Sequence, residues 1–168
     1  SRMVAALGFY TAPDGRIYLL ADSAWGVAAD PGALVEYASS LGISFESSRS
    51  GIKELEDSGY VRLQQDDFDA IVSTSGPRPA HQPGHAHCDA LAFELSVAGE
   101  RLVTDTGVFE YQAGPRRQLA RSTSSHATLV FDGEEQSELW SAHRVGGRAK
   151  CEVARAEASG DVWVSTQG

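Results

Sequence analysis

The sequence has 168 residues, of which 42% are hydrophobic, and a formal net charge of −9. This length and apolar content suffice for a single domain built around one core. The acidic residues are scattered in short pairs, which is typical of a solvated surface and argues against a nucleic-acid partner. The two cysteines are too few for a disulfide scaffold, and no apolar run approaches the ~20 residues of a membrane span.

The first predicted element is a short helix in the segment DPGALVEYASSLG. Asp30 is placed to cap it, Pro31 suits the first helical position, and Gly42 ends it. Its apolar face consists of Leu34, Tyr37, Ala38 and Leu41. One amphipathic helix cannot form a domain, so this face needs a covering surface, either the rest of the chain or a region outside it.

From about residue 58 the apolar residues alternate with a period of two, which predicts strands. GYVRL and FDAIVST flank the turn QQDD, and ALAFELSV and RLVTDT flank Gly99, so each pair predicts a hairpin. HATLVFDG predicts a further strand, and RAKCEVARA and DVWVST predict a third hairpin about ASGD. Because no helical crossovers separate these strands, the fold class is predicted to be mainly β, an antiparallel β-sandwich.

The segment GHAHCD places two imidazoles, a thiol and a carboxylate in six positions, residues 84–89. In an extended chain His85, His87 and Asp89 share one face, which continues the apolar face of the following strand. Polar groups at the rim of an apolar face need partners, and a cation or a ligand can supply them. The alternative is a solvated loop held by the preceding Pro/Gly-rich stretch. Cys88 turns to the opposite face and is predicted to be a small buried residue.

Two more residues extend this segment to a metal-ligand set. Asp105 in LVTDTG and His126 in SSHATLV, taken with His87, supply two nitrogens and one oxygen. Three protein ligands and an open position are typical of a zinc-like ion, and imidazole argues against calcium or magnesium. The set requires the chain to fold back before Phe93, because a straight hairpin would leave Asp105 roughly 20 Å from His87.

The run GHAHCDALAFELSVAGERLVTDTGVFEY, followed by RSTSSHATLVFDGEEQSELW and HRVGGRA, resembles the carboxy-terminal β-domain of the heparinase II/III-like polysaccharide lyases, which include alginate lyases. The likeness covers residues 57–150 and, more loosely, 13–42. Ala127 departs from the family, whose members usually have Asn there. The resemblance implies an α/α toroid before a super-sandwich: residues 1–45 would be the helical end of the toroid region, and 46–168 the sandwich domain.

The resemblance also implies a reaction, the β-elimination of a uronic-acid-containing polysaccharide that is alginate-like or heparin/heparan-like. It assigns three residues to a divalent metal, usually Zn²⁺: His87, Asp105 and His126. His85 matches the histidine that faces substrate, and the metal is expected to hold its loop in place rather than to activate water. Tyr111 is a candidate second catalytic acid, and Arg121 a candidate partner for a substrate carboxylate.

Each of these roles has an alternative. Tyr111 can pack on the edge of the sandwich, and Arg121 can pair with Glu110 or Asp105. The alternative function is a non-catalytic metal- or glycan-binding module that is inactive without its toroid. A cupin-type metalloenzyme is a minor alternative, because Glu94 lies farther along the chain from the His-x-His pair than a cupin glutamate does.

The resemblance implies two partners, an acidic polysaccharide or oligosaccharide substrate and the toroid domain, and a periplasmic or secreted location in a bacterium. We expect no nucleic-acid or membrane partner. The amino terminus, SRMVAALGFY, lacks the zones of a signal peptide and opens as expected of a chain cut from a longer one, so localisation stays open. We also expect an exposed apolar patch where the toroid would dock.

Overall fold

A computed structural model describes residues 2–44, 51–159 and 161–167, with side chains described as far as residue 151. Within these ranges the chain forms three α-helices, two short 3-10 turns and nine strands. In chain order they are α1 (Arg2–Phe9), α2 (Pro31–Ser40), β1 (Gly51–Leu55), a 3-10 turn (Glu56–Ser58), β2 (Tyr60–Gln65), β3 (Phe68–Ser73), β4 (Phe93–Val97), β5 (Glu100–Val103), α3 (Pro115–Arg121), a second 3-10 turn (Thr123–Ser125), β6 (Glu138–Trp140), β7 (Arg144–Gly146), β8 (Glu152–Ser159) and β9 (Asp161–Gln167).

The largest sheet contains β1 to β5 in sequence order, and every neighbouring pair is antiparallel. The β2–β3 hairpin pairs Tyr60 with Ser73 and turns after Gln65, and β4–β5 turns through Ala98 and Gly99, both at positive φ. These two hairpins confirm the sequence prediction. Two further antiparallel hairpins follow, β6–β7 and β8–β9, and the latter is the third hairpin predicted.

The predicted fold class is therefore confirmed: the molecule is mainly β and antiparallel, with few short helices, as expected of a β-sandwich with a short helical amino-terminal segment. The β8 strand contacts β1, which brings the last hairpin against the edge of the main sheet. Among the helices of the described ranges, none has the length and hydropathy required to cross a bilayer.

The amino-terminal segment packs into the core of the main sheet. Phe9 and Tyr18 form a buried cluster with Ile71 of β3. The Tyr18 hydroxyl donates to Asp69 Oδ1 at 2.6 Å, and the Leu19 amide donates to a Glu94 carboxylate oxygen at 2.5 Å. Buried carboxylates need such donors because an unpaired charge in the core is costly. These bonds fix the chain up to residue 20 and so position the residues that follow it, including Asp22.

The predicted helix is observed as α2, and Asp30 occupies the N-cap position, although its side chain makes no capping hydrogen bond. Gly42, at φ +74°, follows the end of the helix. Of the predicted apolar face only Ala38 is buried, whereas Leu34, Tyr37 and Leu41 are exposed. The described part of the chain therefore leaves most of this face uncovered.

Two segments predicted to be extended are irregular instead. Residues 84–92 form no strand, so the expected extended conformation is wrong, although His85 and His87 both bond to one carboxylate, that of Asp22. HATLVFDG contains only an isolated bridge, from Phe131 to Glu134. In both segments backbone groups bond outside a strand ladder; the Cys88 amide, for example, donates to the Arg121 carbonyl at 2.9 Å.

The chain does fold back before β4, as the metal hypothesis requires. Leu91 adopts a positive φ of 63°, and its amide donates to the Ser73 carbonyl at 2.9 Å. The Ala92 amide donates to the Asp89 carbonyl at 3.0 Å, which closes a tight turn. Cys88 is 1% exposed, so its prediction as a small buried residue is confirmed.

Candidate active site

Two histidines meet inside the protein. His87, from the irregular segment before β4, and His126, which follows the second 3-10 turn, have ring centroids 5.2 Å apart. His87 is completely buried, and the side chain of His126 is 0% exposed. The structure thus brings together two residues that are 39 positions apart in the sequence.

Each of these rings is held by a carboxylate through one nitrogen only. His87 Nε2 lies 2.7 Å from Asp22 Oδ1, and His126 Nδ1 lies 2.7 Å from Asp105 Oδ2. The other nitrogens, His87 Nδ1 and His126 Nε2, are buried and have no hydrogen-bond partner among the described residues. A neutral imidazole that donates its N–H to a carboxylate presents a lone pair on its second nitrogen, which is how metal-ligating histidines are oriented. The two rings therefore fit a metal.

The two imidazoles differ in their electrostatic surroundings. Burial lowers the pKa of His87, and the hydrogen bond to Asp22 offsets this only in part. For His126 burial also favours the neutral ring, but the hydrogen bond and charge of Asp105, with the charge of Asp89, outweigh it and raise the pKa. His87 is therefore the more readily neutral of the two and the better prepared to offer a lone pair.

Negative charge accumulates around these rings. Asp89 is buried, and burial raises its pKa to about 6, with the charges of Asp105 and Asp22 adding to the increase. Asp105 is 6% exposed, and its Oδ1 accepts the Gly107 amide at 3.1 Å while Oδ2 binds His126. In this structure Asp105 orients His126, and its role as a direct third ligand stays a prediction. A cation would offset the charge of these carboxylates.

Asp22 is the most connected site residue that sequence reasoning missed. Its Oδ1 binds His87, its Oδ2 binds His85 at 2.7 Å, and both oxygens accept from the Arg117 guanidinium. Burial favours the protonated carboxyl, but these three partners outweigh it and hold the pKa of Asp22 well below its usual range. Arg117, 1% exposed, also donates from Nε to the Ala142 carbonyl at 2.9 Å. Asp22 comes from a segment without periodicity, so nothing in the sequence pattern marks it.

A second group of rings lies at the surface beside the first. The side chain of His85 is 66% exposed, and its ring centroid lies 6.0 Å from Tyr111 and 5.5 Å from His143. The Tyr111 and His143 rings stack at 6.2 Å, and the Tyr111 hydroxyl donates to the Asp22 carbonyl at 3.3 Å. The structure thus brings His85 and Tyr111 together, as their predicted roles require, and adds His143. We call these three residues the exposed ring group.

Within the described ranges, Asp22, His85 and His143 form a set whose potential ligand atoms lie within 4.8 Å of one another. The predicted set of His87, Asp105 and His126 is not drawn together so closely. However, the Arg117 guanidinium already neutralises Asp22, and a cation beside it would face a fixed positive charge. We therefore assign no metal to the exposed set.

The structure overturns the predicted substrate contact of Arg121. Its side chain is 0% exposed, and its guanidinium donates to the Ala86 carbonyl at 3.1 Å and to the Ser141 and Arg144 carbonyls at 3.4 and 3.3 Å. A group enclosed in this way cannot reach a substrate carboxylate, and the alternative pairing with Glu110 or Asp105 is not observed either. Arg121 instead ties the histidine segment to the β6–β7 hairpin.

Comparison with known proteins agrees with this architecture. Residues 47–168 match the family model described as heparinase II/III-like, C-terminal. A crystal structure of heparinase III superposes with a TM-score of 0.74 over 98% of this chain and 29% of that one, at 15% identity. Heparan sulfate lyase HepC from Pedobacter heparinus gives 0.66 over 94% of this chain and 26% of its own, at 20% identity.

The chain therefore spans less than a third of the length of either of these solved structures. A search of the curated proteins finds no match. The structural likeness, at these identities, agrees with the fold alone, whereas the family model covers well over half of the chain. The chain with these features therefore belongs to the heparinase II/III-like C-terminal family.

Proposed function

We propose that this chain forms the sandwich side of the active site of a polysaccharide lyase, which cleaves a uronic-acid-containing polysaccharide, alginate-like or heparin/heparan-like, by β-elimination. Membership of a polysaccharide lyase family supports the reaction class. One observation carries the proposal. His87 and His126 are buried and each is held by a carboxylate, and the exposed His85 lies only two residues before His87. In this arrangement the buried rings form a support and the exposed ring is available to substrate.

The support is proposed to hold a divalent metal, most simply Zn²⁺. Nδ1 of His87 and Nε2 of His126, which have no partner among the residues described, are the atoms that would hold it, with Asp105 as a third ligand or as the partner of His126. When bound, the metal would supply a fixed positive charge that ties two loops together. Because His87 and His85 share Asp22, fixing His87 also fixes the position of His85.

The chemical difficulty lies in removing a weakly acidic proton beside a charged carboxylate. The site must neutralise that carboxylate as enolate charge develops, and a preorganised donor typically contributes about 3 kcal/mol there. His85 Nδ1 donates to Asp22, so Nε2 is the ring atom left for substrate, and it donates there in the protonated form of the ring. Asp22, fixed by Arg117, thus orients the imidazole for this task.

Tyr111 is the proposed proton-transfer partner on this side of the cleft. It is about half exposed, its ring packs edge-on against His85, and its hydroxyl donates to the Asp22 carbonyl at 3.3 Å at the surface. A tyrosine hydroxyl can protonate the leaving oxygen of the sugar. By the family resemblance the main tyrosine comes from the toroid, which is the second proposed partner. The exposed Phe109 and Leu119, which line one shallow hollow, are candidate docking residues.

The alternative is a metal- or glycan-binding module without turnover of its own. The observation that favours it is that the chain spans only 29% of the length of the heparinase III structure. The cupin alternative loses support, because Glu94 accepts from Leu19 and Arg101 and is therefore engaged away from the histidines.

An absorbance assay for unsaturated uronate tests the lyase proposal. Alginate, heparin and heparan sulfate are incubated with this chain and with a longer protein that includes the preceding helical region. We expect product from at least one polymer with the longer protein, loss of product in its His85→Gln form, and no loss in the Glu100→Gln control, which replaces an exposed residue of β5 outside the ring group. If the longer protein yields no unsaturated product from any uronate polymer, the lyase assignment is wrong.

A further inference from the structure

A groove of about 720 Å³ opens beside His85, between the loop of residues 81–85 and the β6–β7 hairpin with the residues that follow it. Its lining includes two arginines, three histidines and one tryptophan: Arg144, Arg148, His81, His85, His143 and Trp140. None of the lining residues is acidic, although the whole chain carries a net charge of −9. This concentration of positive and titratable nitrogen groups on an acidic protein favours an anionic ligand.

The walls of the groove are held together by specific contacts. The Arg148 guanidinium donates to the Ala80 carbonyl at 2.5 Å, and His143 Nδ1 donates to the Gly84 carbonyl at 3.1 Å. A Cβ on Gly84 would lie 3.3 Å from the His143 carbonyl oxygen, so a glycine permits this close approach of the two walls. The buried Arg121 anchors the hairpin from below through its carbonyls. A groove preorganised in this way loses little entropy when a ligand binds.

The side chains that face the groove are available. Arg144 is exposed, and its guanidinium has no hydrogen bond or ion pair to the residues that the structure describes. Trp140 pairs with Arg144 across the β6–β7 hairpin and is 52% exposed. Glu138, the acidic residue of the same hairpin, packs over Gly146 and Gly147 and does not line the groove. An exposed indole beside an unpaired guanidinium suits a sugar ring that carries an anionic group.

We propose that this groove is an anion subsite, in which Arg144 and Arg148 bind a sulfate or carboxylate group of an acidic saccharide while Trp140 covers one face of a sugar ring. The subsite would hold a sugar unit next to the one that faces His85. The inference rests on the proposed function, which identifies the ligand as an acidic saccharide. Guanidinium groups bind the planar carboxylate and the oxygens of sulfate in the same forked geometry, so the shared chemistry is anion recognition.

Binding of oligosaccharides of equal length from heparan sulfate and from alginate tests the proposal by calorimetry, with a neutral cello-oligosaccharide as the reference ligand. The double variant Arg144→Gln/Arg148→Gln is compared with Arg2→Gln/Arg116→Gln, which removes the same charge at exposed positions outside the groove. We expect the groove variant to weaken binding by about tenfold or more and the control to retain most of its affinity. Equal affinity of the two variants would overturn the proposal.

The two saccharides distinguish the anionic group. A loss confined to heparan sulfate identifies sulfate as the bound group, and an equal loss for alginate identifies carboxylate. Circular dichroism establishes that the variants are folded. If the double variant does not fold, the single variant Arg144→Gln is used instead. The Arg144 guanidinium makes no hydrogen bond or ion pair to the described residues, so its loss should not disturb folding. Binding should still weaken several-fold.

Tryptophan fluorescence gives a second readout at the same site. Saccharide binding should change the emission of the unmodified chain and of Trp25→Phe, and the change should be lost in Trp140→Phe. A signal that persists in Trp140→Phe would remove the indole from the subsite.

The outcome is separable from that of the lyase proposal. If the longer protein cleaves a uronate polymer and the groove variant leaves KM unchanged, the subsite is wrong and the lyase stands. If the groove variant loses binding but no polymer is cleaved, the subsite stands and the lyase assignment fails.

Discussion

The buried histidine pair and the exposed ring group lie side by side but are built in opposite ways. His87 and His126 are enclosed, each has one carboxylate partner, and each keeps one nitrogen that has no hydrogen-bond partner in the described part of the chain. His85 and Tyr111 face solvent and contact each other through their rings. Asp22 joins the two regions, with one oxygen on His87 and the other on His85. We propose from this difference that the buried pair contributes mainly to stability and the exposed group to reactivity, with Asp22 fixing the position of one relative to the other.

The largest effect is expected from removing a buried ring. Replacing His126 by Ala takes away one of the two nitrogens proposed to bind the metal, so we expect the metal content of purified protein to fall from about one per chain to near zero. Loss of a ligand held a hundredfold above its Kd costs about 3 kcal/mol of unfolding free energy. Elemental analysis and denaturant unfolding measure both quantities.

The exposed His81 provides the matched control, since His81→Ala should leave metal content and stability unchanged. Freshly purified protein without metal, combined with unchanged stability in His87→Ala, would contradict the assignment of a metal to the buried pair.

The substitution Asp22→Asn tests the residue that connects the buried histidine pair to the exposed ring group. The amide keeps the shape of the carboxyl but leaves the buried Arg117 guanidinium without its counter-charge. Breaking a buried ion pair from one side typically costs about 3 kcal/mol, so denaturant unfolding should show a loss of that size. Asp14→Asn is the control, because Asp14 pairs with Arg101 near the surface and should cost much less. Equal losses in the two variants would mean that Asp22 does not hold the site together.

The elements that could be predicted from the sequence are those with a local signal. Period-two alternation and turn residues predicted the β2–β3 and β4–β5 hairpins, and capping residues predicted α2. His87 and His126 could be singled out because imidazole is rare in this chain, which has five histidines. The hairpins and the helix needed only residue type and spacing, whereas the assignment of the two histidines to a metal also used the family resemblance.

What could not be predicted depends on contacts that are distant in the chain. Asp22 lies 65 residues before His87, in a segment whose pattern resembles any polar loop. The sequence does not show whether the guanidinium of Arg121 is solvated or buried. Only the fold shows that backbone carbonyls surround it. HATLVFDG was predicted to form a strand and does not. A period-two pattern reports only the polarity of the side chains, whereas a strand also needs a neighbouring strand with which its backbone can form hydrogen bonds.

A third test uses the opposite pKa shifts of the buried rings in chelator-treated protein. His87, with its pKa lowered by burial, should titrate at a more acidic pH than His126, whose pKa is raised through Asp105. The unfolded chain binds a proton more readily than His87 does, so His87 lowers stability as pH falls below the ordinary histidine value. His126 contributes stability at low pH that is lost as pH rises through its folded pKa. Each effect is of order 1 kcal/mol per pKa unit.

Histidine ring resonances measured by NMR against pH follow the two titrations separately. The His87→Gln and His126→Gln forms assign the signals. Coincident midpoints, or a reversed order, would contradict the difference in environment that the structure shows.

The smallest effect on stability is expected in the exposed ring group. Tyr111→Phe removes a hydroxyl whose hydrogen bond to the Asp22 carbonyl lies at the surface, and His85→Gln shortens a side chain that is 66% exposed. Surface changes of this kind stay within about 0.5 kcal/mol. In the longer protein, however, both should lower the rate of unsaturated product formation, and by much more than Glu100→Gln, a change at an exposed residue of β5, does. A large loss of stability in either variant would mean that these rings, like the buried pair, support the fold. Unchanged stability together with unchanged turnover would mean that they have no role in the reaction. Only a loss of turnover without a loss of stability would support separate roles for the exposed ring group and the buried histidine pair.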